Sequence, residues 1–182
     1  MRVIGIVGLP GSGKSEAAAV AEHEGVPVVT MGDVIRRECR DRGLDPAVHH
    51  GEIAQQLRAE NGPGAVAERS LPVIEEHLDA AETVVVDGIR SGTEVDRFQT
   101  AFGEAFRLVC VEAPFETRAE RLDLRGRDAV SGADGESLEE RDRRELEFGM
   151  GDAIDRADLT VENTGTLAGF RERVRELLEG SP

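Results

Sequence analysis

The octet Gly8-Leu9-Pro10-Gly11-Ser12-Gly13-Lys14-Ser15 constrains the fold of this chain more than any other segment. It reads G-x-x-x-x-G-K-S, the spacing of a Walker A phosphate-binding loop. Such a loop works between a buried strand and the start of a helix. Its glycines let successive backbone N–H groups converge on one anion, and the helix N-terminus adds its dipole. The flanks agree. Arg2-Val3-Ile4-Gly5-Ile6-Val7 is a short β-branched run, and residues 16–23 are alanine-rich and helix-favouring. Lys14 is also the only lysine among 22 basic residues. A compact ammonium fits between phosphate oxygens inside a tight ring of backbone, where the wider planar guanidinium does not. All eight residues of the octet are therefore candidates for holding nucleotide phosphates.

At 182 residues the chain is expected to form one domain, 1–182, with a proper core. Its formal charge of −15 and the absence of Trp and Tyr argue against nucleic acid or an anionic membrane as partner. No apolar run reaches membrane-spanning length, and the first strand begins at residue 2, so no signal peptide is expected ahead of it. A cytoplasmic location follows as the expectation. Cys39 and Cys110 are isolated and read as core-filling thiols in a reducing compartment. Excess acid with one lysine resembles the proteins of salt-loving organisms.

Short apolar runs alternate with longer helical segments. Strands are expected over 3–7, 27–30, 83–87, 106–112 and 159–162. Helices are expected near 14–24, 32–42, 50–60, 64–80, 92–102, 114–125, 137–148 and 166–179. This alternation predicts an α/β fold, three layers α/β/α around a five-stranded, mainly parallel sheet. Two stretches interrupt it. Residues 32–64 carry turn signals at Gly43, Pro46 and Asn61-Gly62-Pro63-Gly64, and residues 125–137 are rich in Gly, Asp and Ser. Neither reads as core. Both read as flaps over a substrate, an acceptor-binding insertion and a lid.

Val84-Val85-Val86-Asp87 is a hydrophobic strand ending in a carboxylate, the Walker B pattern, and Asp87 would hold Mg2+ opposite the Ser15 hydroxyl. Asp33 follows the second strand. It fits two roles, a residue of the helix N-terminus or a base that takes a proton from an attacking hydroxyl. Arg36, one turn on, and Arg90, in the loop leaving the third strand, are candidates for an acceptor phosphate. Arg118, Arg121 and Arg125 share a helix face at i, i+3, i+7, Arg127 follows, and Arg141 and Arg144 repeat the spacing. The cluster suits phosphate clamping and neutralisation of transition-state charge, while each arginine alone equally suits a solvated pair with Glu120, Asp123 or Glu140. Asn163-Thr164-Gly165-Thr166 suits a helix cap and also a loop touching the nucleotide base. His23, His49, His50 and His77 show no metal-ligand spacing.

These residues resemble the small P-loop nucleoside-monophosphate-kinase-like proteins, above all an archaeal group related to adenylate kinase and dephospho-CoA kinase. The resemblance runs along essentially the whole chain. Met31 to Arg36 and Val86 to Arg90 are similar to adenylate kinases, although the usual proline before the arginine is missing. Ala157 to Gly165 and the position of Asp33 look more like dephospho-CoA kinases. The resemblance implies ATP and Mg2+ as cofactors and phosphoryl transfer to a small acceptor, a nucleoside monophosphate or dephospho-CoA. It places Asp33 as the base, Arg121 packed on adenine and Arg125 on the phosphates. Together with the motif readings above, Lys14, Asp33, Arg125 and Arg141 are expected in catalysis, Ser15 and Asp87 on the metal, and Arg121, Asn163 and Gly165 at the nucleotide. Asp33, Arg36, Arg90 and Arg127 would meet the acceptor. A monomer or homodimer is expected. The alternative is an ATP-driven switch or assembly factor that hydrolyses slowly and uses no acceptor. A GTP-specific switch usually shows an N-K-x-D-like base-reading motif, and with Lys14 as the only lysine no such motif is possible here.

Overall fold

The computed structural model describes residues 1–124 and 136–180. In chain order these form β1 (Arg2–Val7), α1 (Lys14–His23), β2 (Val28–Thr30), α2 (Met31–Asp41), α3 (Pro46–Asn61), α4 (Ala65–Leu78) and β3 (Thr83–Asp87). Then come α5 (Gly92–Phe102), a single 3-10 turn, β4 (Phe106–Glu112), α6 (Phe115–Leu124), α7 (Leu138–Phe148), α8 (Met150–Asp155), β5 (Leu159–Glu162) and α9 (Leu167–Glu179). The sheet order is β2-β3-β1-β4-β5, and every pairing is parallel. All strands therefore end on one edge. The chain leaves β1 with one neighbour on either side, which opens a crevice beyond its carboxyl end.

Both faces of the sheet are buried, as a parallel sheet requires. Val3 and Val7 join Val84, Val86, Leu108 and Cys110 in the core on one face, while Ile4 and Ile6 join Val85, Val109, Val111 and Phe170 on the other. The small side chains of Ala17 and Ala21 let α1 lie close to the second face. At Gly5 a Cβ would come within 2.7 Å of Ile89 and 2.9 Å of Phe106, so only glycine fits between those side chains.

One expectation needs correcting. Residues 32–64 are not free of core: Ile35, Cys39, Ile53, Ala54 and Leu57 all enter the larger cluster. Met31, Ile35 and Cys39 recur at helical spacing along α2, and α3 starts four residues earlier than expected because Asp45 caps it and Pro46 takes the first turn. The turn residues masked a short apolar stripe. A second difference is α8, a six-residue helix that follows Gly149 directly and was not expected from the sequence. Residues 125–135 of the expected lid, Arg125 and Arg127 among them, lie outside the described residues.

Candidate active site

The octet forms a tight loop from β1 into α1, and Gly8, Gly11 and Gly13 all take positive φ. Two neighbours explain the close fit. A Cβ on Gly8 would sit 2.3 Å from the Val111 carbonyl oxygen, and one on Gly13 would sit 2.3 Å from Asn163 Nδ2. Lys14 Nζ donates to the carbonyl oxygens of Gly8 (2.5 Å) and Leu9 (3.1 Å), so its charge is curled over the loop. Ser12 Oγ is buried without a hydrogen-bond partner among the described residues. A loop with an unsatisfied hydroxyl and an ammonium bonded to its own carbonyls is a cradle that an anion would complete.

The cradle is braced from outside. Asn163, buried just beyond β5, donates from Nδ2 to the Ser12 carbonyl (2.8 Å) and accepts from Arg121 at both its backbone oxygen (2.8 Å) and Oδ1 (3.1 Å). Gly13, Arg121, Asn163 and Gly165 border one hollow of about 130 Å3, which brings together the residues expected around the base. The loop after β5 also caps α9, through Thr166 Oγ1 accepting from Gly169 N–H. The cap reading of Asn163 to Thr166 is thus met, with Thr166 as the cap.

Arg118 departs from the expected clamp. It is buried, binds Asp142 through both guanidinium nitrogens (2.8 and 2.7 Å), and donates to the carbonyls of Pro10 (3.0 Å) and Ala113 (3.2 Å). It therefore braces the phosphate loop, and its partner lies 24 residues away in α7, beyond the reach of spacing arguments. Arg144 pairs with Glu136. Arg141 stands, half-buried, in the first turn of α7.

Asp87 ends β3 in register with Ile6 of β1 and Thr30 of β2. Burial pushes its carboxyl above 3.8, opposed by Lys14, the Gly88 N–H and Arg90. Burial also pushes the Lys14 ammonium down, opposed by the carboxylates of Asp87 and Glu145. Lysine and aspartate thus lie within electrostatic range of one another at the carboxyl edge of the sheet. Ser15, exposed in the first turn of α1, and Asp87 supply the hard oxygen donors that Mg2+ prefers. Among the described residues no group of three or more His, Cys, Asp and Glu side chains could hold a metal by itself, so phosphate oxygens and water would have to complete the shell.

Asp33 lies inside the first turn of α2, not at its cap, which is Thr30. Its carboxylate is exposed and paired with Arg36 (2.7 Å), and it borders a cleft of about 470 Å3 shared with Val28, Thr30, Arg37 and His77. Arg90 pairs with Glu145 (3.3 Å). Glu145 was not legible as a site residue. On the polar helix α7 it is nonetheless buried, together with Leu138, and it lies in electrostatic range of Lys14.

A parallel sheet with helices on both faces and a braced P-loop beyond its central strand defines a nucleotide-binding P-loop fold of the kinase-like kind. Residues 4–145 match the AAA domain family. The chain belongs to the UPF0200 family: a UPF0200 protein of Halobacterium salinarum is 61% identical over 178 residues, covering 98% of this chain and 93% of the relative. Among solved structures, TT1252 from Thermus thermophilus aligns with a TM-score of 0.66 at 22% identity, covering 100% of this chain and 98% of that one. A shikimate kinase from Acinetobacter baumannii in complex with shikimate aligns at 0.57 and 18% identity, covering 99% and 94%. These structural likenesses define the fold. Among the described residues no helix is long and apolar enough to cross a membrane.

Proposed function

We propose that the protein is a Mg2+-dependent phosphotransferase that moves the γ-phosphoryl group of ATP to a small acceptor, a nucleoside monophosphate or dephospho-CoA. One observation carries the reading. The phosphate loop shares its sheet edge with a second set of cations, Arg36 on α2 and Arg90 after β3. A switch needs the first set alone. Lys14 and the loop N–H groups hold the phosphates, and Arg121, Asn163 and Gly165 hold the base side. Ser15 and Asp87 would hold Mg2+, which supplies charge neutralisation on the phosphates when bound. Arg36 and Arg90 receive the acceptor. Asp33 takes a proton where the acceptor is an alcohol, as in dephospho-CoA, and is dispensable where it is a phosphate. Arg125, Arg127 and Arg141 complete the charge neutralisation, with 125–137 as lid and 32–64 as acceptor insertion of one domain. In this reading the enzyme works in the cytoplasm as a monomer or homodimer.

The test is coupled ADP release with ATP and Mg2+, at high and low potassium chloride, with AMP, CMP, UMP, GMP and dephospho-CoA offered in turn. The kinase reading expects one of them to raise turnover at least tenfold over basal hydrolysis. Slow release that none of them changes, with ATP still bound, would move the assignment to an ATP-driven switch.

A further inference from the structure

Three side chains of α7 stand at i, i+3, i+6 and each engages a different arginine. Asp142 holds Arg118, Glu145 holds Arg90, and the Phe148 ring lies 4.8 Å from the guanidinium carbon of Arg58. The first contact belongs to the phosphate loop. The other two converge on the acceptor side.

Arg58 comes from α3, the insertion that the sequence presents as a flap. Its guanidinium is held on three sides, by Phe148, by the Ala54 carbonyl (3.3 Å) and by Glu94 of α5 (3.5 Å). Glu94 is fully buried, and its other oxygen accepts from the Arg90 N–H (2.8 Å). One buried carboxylate thus ties Arg58 to the backbone of Arg90. His50, one helical face away on α3, feels Arg36, Arg90 and Arg58 together; burial first and these cations next push its imidazole below the ordinary range. Each of these arginines is also paired, Arg36 with Asp33, Arg90 with Glu145 and Arg58 with Glu94, so the three guanidiniums stand around one histidine as members of ion pairs.

The same neighbourhood holds one donor that the protein leaves unmet: Arg58 Nε is buried without a hydrogen-bond partner among the described residues. Arg90 gives one nitrogen to Glu145 and its side chain stays half-exposed. An unmet guanidinium donor beside a second, half-exposed guanidinium is what an anion would satisfy.

We propose that Arg58 and Arg90 form a two-guanidinium clamp for an anionic group, phosphate or carboxylate, of the acceptor, and that Glu145 and Phe148 position it. This deepens the acceptor-side reading above and rests on it for the role of the bound anion. His50 completes the clamp as a neutral partner beside the anion. The acceptor is then an anion in its own right, and uncharged alcohols or nucleosides are poor ligands.

The clamp can be read without knowing the acceptor. Protein saturated with a non-hydrolysable ATP analogue and Mg2+, so that the P-loop is filled, is titrated with inorganic phosphate while the His50 Cε1–H resonance is followed. Potassium chloride at equal ionic strength is the reference. The clamp predicts saturable movement of His50 at roughly millimolar phosphate, with the P-loop already occupied. Arg58→Met should weaken this at least about fivefold, and Arg58→Lys, which keeps a charge beside Glu94 if the first variant does not fold, should weaken it similarly because the fork is lost. Arg175→Met, on the far helix α9, should leave it unchanged. Glu145 acts through Arg90: Glu145→Gln keeps an oxygen for Arg90 and should bind phosphate at least as well as wild type, while Glu145→Ala should bind it about threefold or more weakly. No phosphate-specific movement of His50, or full retention in Arg58→Met, would overturn the clamp. Saturable binding with no acceptor stimulating ADP release would leave the clamp standing and sink the kinase reading instead.

Discussion

Asn163 is where the account is most exposed to a single substitution. Its Nδ2 holds the Ser12 carbonyl, its Oδ1 accepts from Arg121, and only 5% of the residue is exposed. Asn163→Ala removes both. The Ser12 carbonyl is left buried without that donor, at a cost of about 1–3 kcal/mol. Arg121 keeps the backbone oxygen of residue 163, so the second loss is smaller, about 0.5–1.5 kcal/mol. A total near 2–4 kcal/mol is expected. Because the freed carbonyl is in the phosphate loop, the same change should weaken ATP binding about tenfold or more. Asn163→Asp, of equal volume, turns a donor into an acceptor facing the Ser12 carbonyl and should be at least as harmful. Urea unfolding gives the stability, and titration with a non-hydrolysable ATP analogue gives the affinity. Both variants within 0.5 kcal/mol of wild type, with unchanged affinity, would refute the bracing role.

Lys14→Ala should lower turnover by orders of magnitude while leaving the circular dichroism spectrum unchanged, since the hydrogen bonds of the side chain go to carbonyls of its own loop. Arg118→Met should cost about 3–5 kcal/mol in chemical unfolding, because it strands Asp142 and frees the Pro10 carbonyl. Asp87 gives a pH prediction. Its carboxyl is held above 3.8 in the fold, so its favourable contribution is complete below 3.8 and is lost as pH rises through the raised value. Asp87→Asn should therefore gain stability relative to wild type across that rise and stay ahead at neutral pH, while losing Mg2+-dependent nucleotide protection; parallel thermal melts from pH 3 to 8 check this.

Much of the nucleotide side was legible because its information is local. The octet, the β-branched run before it and the acid closing β3 sit within short windows, and the five strands fell within a residue or two of their places. The acceptor side was less so. Gly43 and Pro46 broke the periodicity of α2 and α3, which hid Ile53 and Leu57 as core and Arg58 as a site residue. Arg118 and Glu145 were illegible for a different reason. Their roles depend on partners 108 and 55 residues away, Pro10 and Arg90, that only tertiary packing supplies. Glu94 is the intermediate case: Ser91-x-x-Glu94 signals a helix start, and Ser91 does accept from the Glu94 N–H, but the carboxylate turns to Arg90 and Arg58.

The central claim is that the γ-phosphoryl group leaves ATP for a second molecule and not for water. The most direct measurement is the fate of label from [γ-32P]ATP in the presence of Mg2+ and each acceptor of the panel, resolved by chromatography. The account predicts label in one acceptor, dependent on Lys14 and Arg90. Label recovered only as inorganic phosphate, at the same rate with and without every acceptor, would contradict it.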